Sequence, residues 1–149
     1  MYVTSQEYFK RSVRAAAILT NGYVAGTVLG AQAKDTNQVV TADEVDQFNF
    51  LALEIAFTKG SLTSVAIKIE FSEDNSNWFI LQKTSNSSGV ITTNNAFYSL
   101  TADGSYYLNV NTDFFNGGGF KTKYIRVSSS GVGTVDNSSL TINAIVGVV

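Results

Sequence analysis

Leu51-Ala52-Leu53-Glu54-Ile55-Ala56-Phe57 and, soon after it, Val65-Ala66-Ile67-Lys68-Ile69-Glu70-Phe71-Ser72 each place an apolar side chain at every second position. Successive side chains of a strand point to opposite faces. Leu51, Leu53, Ile55 and Phe57 therefore share one face, and Val65, Ile67, Ile69 and Phe71 share another. Ala66, Lys68, Glu70 and Ser72 fall on the outer face, where Glu70 is expected to be solvated. The same period returns at Leu140, Ile142, Ala144 and Val146. Between these runs the chain reads as short strands and polar turns. A polar loop at Glu73–Asn77 returns through Trp78–Lys83, and Thr84–Gly89 reads as a turn. Strands are expected at Val90–Thr92, Phe97–Leu100, Tyr106–Val110 and Tyr124–Ser128. About seven or eight such strands at intervals of roughly ten to fifteen residues predict an all-β protein, an antiparallel β-sandwich or jelly roll.

Composition agrees and excludes much chemistry. The 149 residues suit one domain. Histidine and cysteine are both absent, which removes disulfides, Cys/His zinc sites, thiol nucleophiles and every scheme that depends on imidazole. The net charge of −2, with charged residues at only 15%, gives no pull toward nucleic acid. The uncharged run Ala15–Ala33 is interrupted by Thr20-Asn21-Gly22-Tyr23, so neither a secretory signal nor a membrane span is expected.

The first thirty-odd residues break the pattern. Thr4 and Glu7 have capping-box spacing, and Phe9, Val13 and Ala16 fall at i, i+4 and i+7 with Lys10, Arg11 and Arg14 opposite. A short helix or an extended arm fits. Asn21-Gly22 signals a tight turn that joins Ala15–Leu19 to Tyr23–Leu29 as a hairpin, and Ala31–Asn37 reads as a linker. Lys10, Arg11, Arg14 and Lys34 outweigh Glu7, whereas Asp35, Asp43, Glu44, Asp46 and Glu54 make the next stretch acidic. The expected division is an N-terminal arm over 1–37, for attachment or inter-subunit contact, and a sandwich over 38–149.

Candidate chemistry yields to structural readings. Glu70, Glu73 and Asp74 cluster at one hairpin, and Asp43, Glu44 and Asp46 at another segment, but Thr41 and Glu44 have capping-box spacing and Glu70 sits on a strand face. Asp74-Asn75-Ser76-Asn77 offers oxygen ligands for calcium without the Gly and Glu that an EF-hand loop requires, and a polar turn accounts for it. Gly117-Gly118-Gly119 before Phe120-Lys121 lacks the GxxxxGK pattern of a phosphate cradle. Trp78 with Tyr106, Tyr107 and Tyr124 could form a sugar-stacking platform, though packing is the simpler use. No catalytic, cofactor or metal residues are expected. The residues assigned to an interface are Phe9, Lys10, Arg11, Val13, Arg14 and Trp78.

The stretch Ile67-Lys68-Ile69-Glu70-Phe71-Ser72-Glu73-Asp74-Asn75-Ser76-Asn77-Trp78 resembles a hairpin of small β-sandwich proteins from tailed-phage virions. Lys123-Tyr124-Ile125-Arg126-Val127-Ser128, Gly133-Thr134 and Leu140-Thr141-Ile142-Asn143-Ala144 are similar to their closing strands. These are accessory head proteins of the decoration or cement type, with related head and tail components. The resemblance spans about residues 48–147 and carries no catalytic residues. It implies a non-enzymatic protein, made in the host cytoplasm, that binds the outside of a capsid and stabilises it. Its partners would be the major capsid protein and itself, as a homotrimer, with no nucleic acid or membrane partner. The alternatives are a carbohydrate- or receptor-binding module and a head–tail or tail-tube subunit.

Overall fold

The computed structural model describes residues 7–30 and 47–148. In chain order the elements are β1 (Glu7–Ala17), β2 (Val24–Ala25), β3 (Leu29–Gly30), β4 (Phe50–Thr58), β5 (Leu62–Ser72), β6 (Phe79–Ile80) and β7 (Gln82–Ser87). There follow β8 (Val90–Asn95), β9 (Phe97–Leu100), β10 (Gly104–Asn109), α1 (Val110–Phe115), β11 (Tyr124–Gly133) and β12 (Ser139–Val148). One sheet runs β1-β12-β4-β10. The other runs β2-β11-β5-β6, with β3 also on β11 and β9 also on β5, and among the described strands β7 pairs only with β8. All strand pairings are antiparallel. The chain is an all-β sandwich.

The alternation read from the sequence builds its interior. Leu51, Leu53, Ile55 and Phe57 of β4 and Leu140, Ile142, Ala144 and Val146 of β12 are buried against Val65, Ile67 and Ile69 of β5 and Ile125 and Val127 of β11. Each such Leu or Ile contributes about 1.5–3 kcal/mol by leaving water. Phe71 lies at the margin and stacks on Phe120 at 4.8 Å between ring centroids.

The expected arm is corrected for residues 7–30. Glu7–Ala17 is an edge strand in register with β12 from Glu7↔Val148 to Ala17↔Leu140, with two irregularities. Phe9, Val13, Leu19 and Leu29 are buried in the common core. A spacing of four satisfies strand and helix periods alike, so Phe9 and Val13 share a face in either form. The pairing with β12 decides for the strand. The hairpin expected about Asn21-Gly22 does not form, because β1 belongs to one sheet and β2 to the other. Residues 18–23 cross between them, with Gly26 closing the crossing. Gly26 donates to the Val127 carbonyl at 2.9 Å, and a Cβ there would meet Val13 Cγ1 at 2.4 Å. Thr4, the Ala31–Asn37 linker, Lys34, Asp35 and the Thr41–Asp46 acidic segment lie outside the described residues, as does the expected boundary at 37/38.

Two further expectations are corrected. Thr84–Gly89 is mostly strand β7, and the turn is confined to Ser88 and Gly89, whose φ values of 52° and 80° mark a type I′ hairpin turn. After β10 the chain forms the one-and-a-half-turn helix α1, which periodicity did not show. Asn109 caps it by accepting from the Thr112 N–H at 3.1 Å. Buried Asn111 accepts from the Leu51 N–H at 3.0 Å and donates to the Asn49 and Gly118 carbonyls at 2.9 and 2.8 Å. The triple-glycine loop is thus folded back onto β4.

Phe9→Ala tests the integration of β1. Truncating a buried Phe costs about 3–5 kcal/mol, so urea unfolding should shift by that amount. An unchanged midpoint would return Phe9 to a separate arm.

Candidate functional site

The outer face of the β5–β11 sheet holds a buried charged cluster. Register sets Arg126 opposite Glu70, and Ser128 opposite Lys68, two residues further along. Arg126 Nη2 donates to Glu70 Oε2 at 2.8 Å, and Lys68 Nζ stands 3.6 Å from Oε1. The Glu70 side chain is 7% exposed, so the expectation of a solvated carboxylate is corrected. Its cover comes from two aromatic rings. Trp78 lies against the Arg126 guanidinium at 4.4 Å from ring centroid to Cζ, and Tyr23 takes Lys68 Nζ at 4.5 Å. Glu70 Oε1 and Arg126 Nε have no hydrogen-bond partner, so the ion pair alone offsets their desolvation.

The loop before Trp78 aims it there. Asp74 Oδ1 accepts from the Ser76 and Asn77 N–H groups at 2.8 and 2.7 Å, and Oδ2 from Asn77 Nδ2 at 2.6 Å. Ser72 Oγ accepts from the Asn75 N–H at 2.9 Å, and Asn75 takes the left-handed region at φ 59°. These donors, the Asn77 and Ser76 amides first, hold the Asp74 carboxyl well below the usual carboxylate range. Both oxygens serve the turn. Among the described residues no group of three or more acidic side chains is placed to hold a metal.

On the opposite sheet, a shallow depression of about 400 Å³ is lined by Glu54, Ala56, Ser105, Tyr107, Thr141 and Asn143. Its single carboxylate, Glu54, pairs with Lys10 at 2.6 Å, an exposed pair of small energetic weight. A second depression of about 410 Å³ lies among Tyr8, Phe50, Asn111 and the glycine loop. Neither depression brings two acidic side chains together.

The residues assigned to an interface separate. Phe9 and Val13 are core. Arg14 donates to the Ala17 and Ile18 carbonyls at 3.0 Å each, and to the Leu140 carbonyl, so it clips the end of β1. Partial burial lowers its pKa. Arg11 lies 5.5 Å from the Phe9 ring centroid. Lys10 is the exposed member, and Trp78 is half-buried on Arg126. The aromatic platform does not assemble: Tyr106 and Tyr107 lie on β10 of one sheet, Tyr124 and Trp78 at the other. Tyr106 donates to the Ala102 carbonyl at 2.6 Å.

Sequence reasoning missed two features. The Glu70–Arg126 pair depends on strand register, which no local signal carries. The β7–β8 hairpin projects with every residue exposed. Leu81 and Ala96, both buried, anchor its base, where the Ala96 N–H donates to the Leu81 carbonyl at 2.9 Å. Val90 and Ile91, beside the turn, are 61% and 70% exposed. Two signals could have found it: Ser88-Gly89 is a turn dipeptide, and no residue from Thr84 to Ala102 is charged.

Two outcomes test the cluster. Arg126→Met leaves Glu70 with Lys68 alone and should cost about 3 kcal/mol, at the low end for breaking a buried pair because Lys68 remains and Arg126 keeps some exposure. Adding Glu70→Leu should recover most of that loss in chemical denaturation. Asp74→Ala should lower the melting temperature at pH 7. The folded-state pKa is depressed, so the Asp74 contribution is full above the ordinary carboxylate range and lost as pH falls through the folded value. The gap to wild type should therefore narrow below about pH 4, and a gap independent of pH would refute that assignment.

No family model and no curated protein matches the chain. Among solved structures, the SPBc2 prophage-derived protein YomS is similar over 99% of this chain and 98% of its own, at 18% sequence identity and a TM-score of 0.47.

Proposed function

We propose that this chain is a non-enzymatic structural protein of a tailed-phage virion, which binds the outside of the capsid and stabilises it. Its partners in this reading are the major capsid protein and further copies of itself. The observation that carries it is the exposure of large apolar side chains on a well-packed sandwich: Phe79 and Ile91 are each 70% exposed, and Ile18 60%. These three side chains are offered as candidate contact points for another macromolecule. The resemblance of residues 67–78 and of the closing strands to phage head proteins supports the same reading.

A head–tail or tail-tube subunit is the second reading, favoured by the outer edge of β10, which pairs with no described strand and suits ring formation. The test is quantitative mass spectrometry of purified particles of the encoding phage, followed by re-addition of the protein to stripped heads. A copy number in fixed ratio to the major capsid protein and a higher head-opening temperature on re-addition are expected. Absence from particles, or presence in tails alone, would overturn the decoration role.

A further inference from the structure

The two sheet edges of the β1-β12-β4-β10 sheet differ in kind. β1 is interrupted by two register shifts and carries Lys10, Arg11 and Arg14, the devices that keep an edge from pairing with other chains. β10 has none of them. Its six residues hold an unbroken register with β4 from Gly104↔Phe57 to Asn109↔Ala52, without charge or proline, and the other edge pairs with no described strand. The backbone donors and acceptors along that edge call for a strand.

The β7–β8 hairpin is a strand pair in need of a support. A two-stranded hairpin alone is marginally stable in water. Lys83 is its only charged residue, where an exposed ribbon ordinarily carries several. Strand β8, Val90-Ile91-Thr92-Thr93-Asn94-Asn95, opens with four β-branched residues and matches β10 in length, both being six residues. Neither strand bears a charge, so no ion must be desolvated when they meet. Tyr107, 59% exposed on β10, offers a cross-strand partner of the aromatic–β-branched type to Val90 or Ile91. Within one copy the hairpin and β10 belong to different sheets and do not pair.

We propose that β8 of one copy adds along the outer edge of β10, unpaired among the described strands, in a second copy, making the hairpin an inter-subunit arm that joins copies head to tail. A head-to-tail contact of this kind closes into a ring when its rotation permits. The inference rests on the self-association part of the proposed function and not on capsid binding. The particle experiment above can therefore fail while this one succeeds.

The test uses the full chain and two variants. In the first, residues 84–93 are replaced by Gly-Gly, which keeps the Gln82–Asn95 rung; in the second, Ser105→Lys and Tyr107→Lys charge the edge. Light scattering should give wild type as a multiple of 16.0 kDa and each variant as a monomer. Mixing the variants should give a 1:1 dimer and nothing larger, because one retains only the edge and the other only the arm. Hydrogen exchange supplies a readout that does not depend on the second variant folding. The β10 amides that point away from β4 should be protected in wild type and lose protection in the shortened-arm variant, which leaves β10 untouched. A wild-type monomer at high micromolar concentration, an unchanged mass after shortening the arm, or a mixture that forms no dimer would each overturn the proposal.

Discussion

Both sheets are completed in their middle by the end of the chain. β12 lies between β1 and β4, and β11 lies between β5 on one side and the short strands β2 and β3 on the other. Buried backbone polar groups must find partners, so neither N-terminal piece has a place until residues 124–148 are in position. The pairing Glu7↔Val148 spans nearly the whole sequence. A topology dominated by such distant pairings closes late and slowly. The same constraint explains the crossing at residues 18–23. The chain must leave one completed sheet and enter the other, and Ser130 Oγ and Ser138 Oγ meet it there by accepting from the Gly22 and Leu19 N–H groups at 3.0 and 3.2 Å.

The outer face of the β5–β11 sheet shows how charge is kept on a face that is not wet. Glu70 faces away from the main core, yet Trp78 and Tyr23 lie over the cations that pair with it. The rings exclude water from the carboxylate and attract the cations through their π faces. Two residues distant in sequence thereby form a small second core around an ion pair. The cluster fixes the relative placement of the Trp78 loop, β11 and the Tyr23 segment. That is the structural use of the carboxylate that sequence reading set aside as solvated.

What was legible follows from physical range. Leu51–Phe57, Val65–Phe71 and Leu140–Val146 announce their burial locally, because inner-face residues two apart must all be apolar. The Asp74 turn was legible as a turn, since its donors and acceptors lie within five residues. Phe9 and Val13 were ambiguous because their spacing fits two periods, and only β12 resolves it. Glu70 was misread because its cover is non-local. Strand β7 was misread because Thr84-Ser85-Asn86-Ser87 has the composition of a turn, and cross-strand partners on β8 make it a strand. Helix α1 was missed because Asn109 and Asn111, ordinary turn residues, serve as its cap and as its tie to β4.

The distribution of charge separates surfaces that stay wet from those that can be covered. Charge gathers along β1 and at the Lys10–Glu54 pair, where solvent screens it at little cost. It is absent from the hairpin strands beyond Lys83 and from β10, whose outer edge pairs with no described strand. The hairpin is nonetheless polar, and part of that polarity is spent across its own strands. Ser85 and Thr92 hydroxyls meet at 2.7 Å, and Gln82 Nε2 donates to Asn95 Oδ1 at 3.1 Å across the strands. Side chains that satisfy one another can lose water without leaving unpaired groups behind. A ribbon whose Ser85–Thr92 and Gln82–Asn95 pairs are cross-bonded and whose tip is Val90 and Ile91 thus costs less to bury against a strand edge than a charged ribbon would.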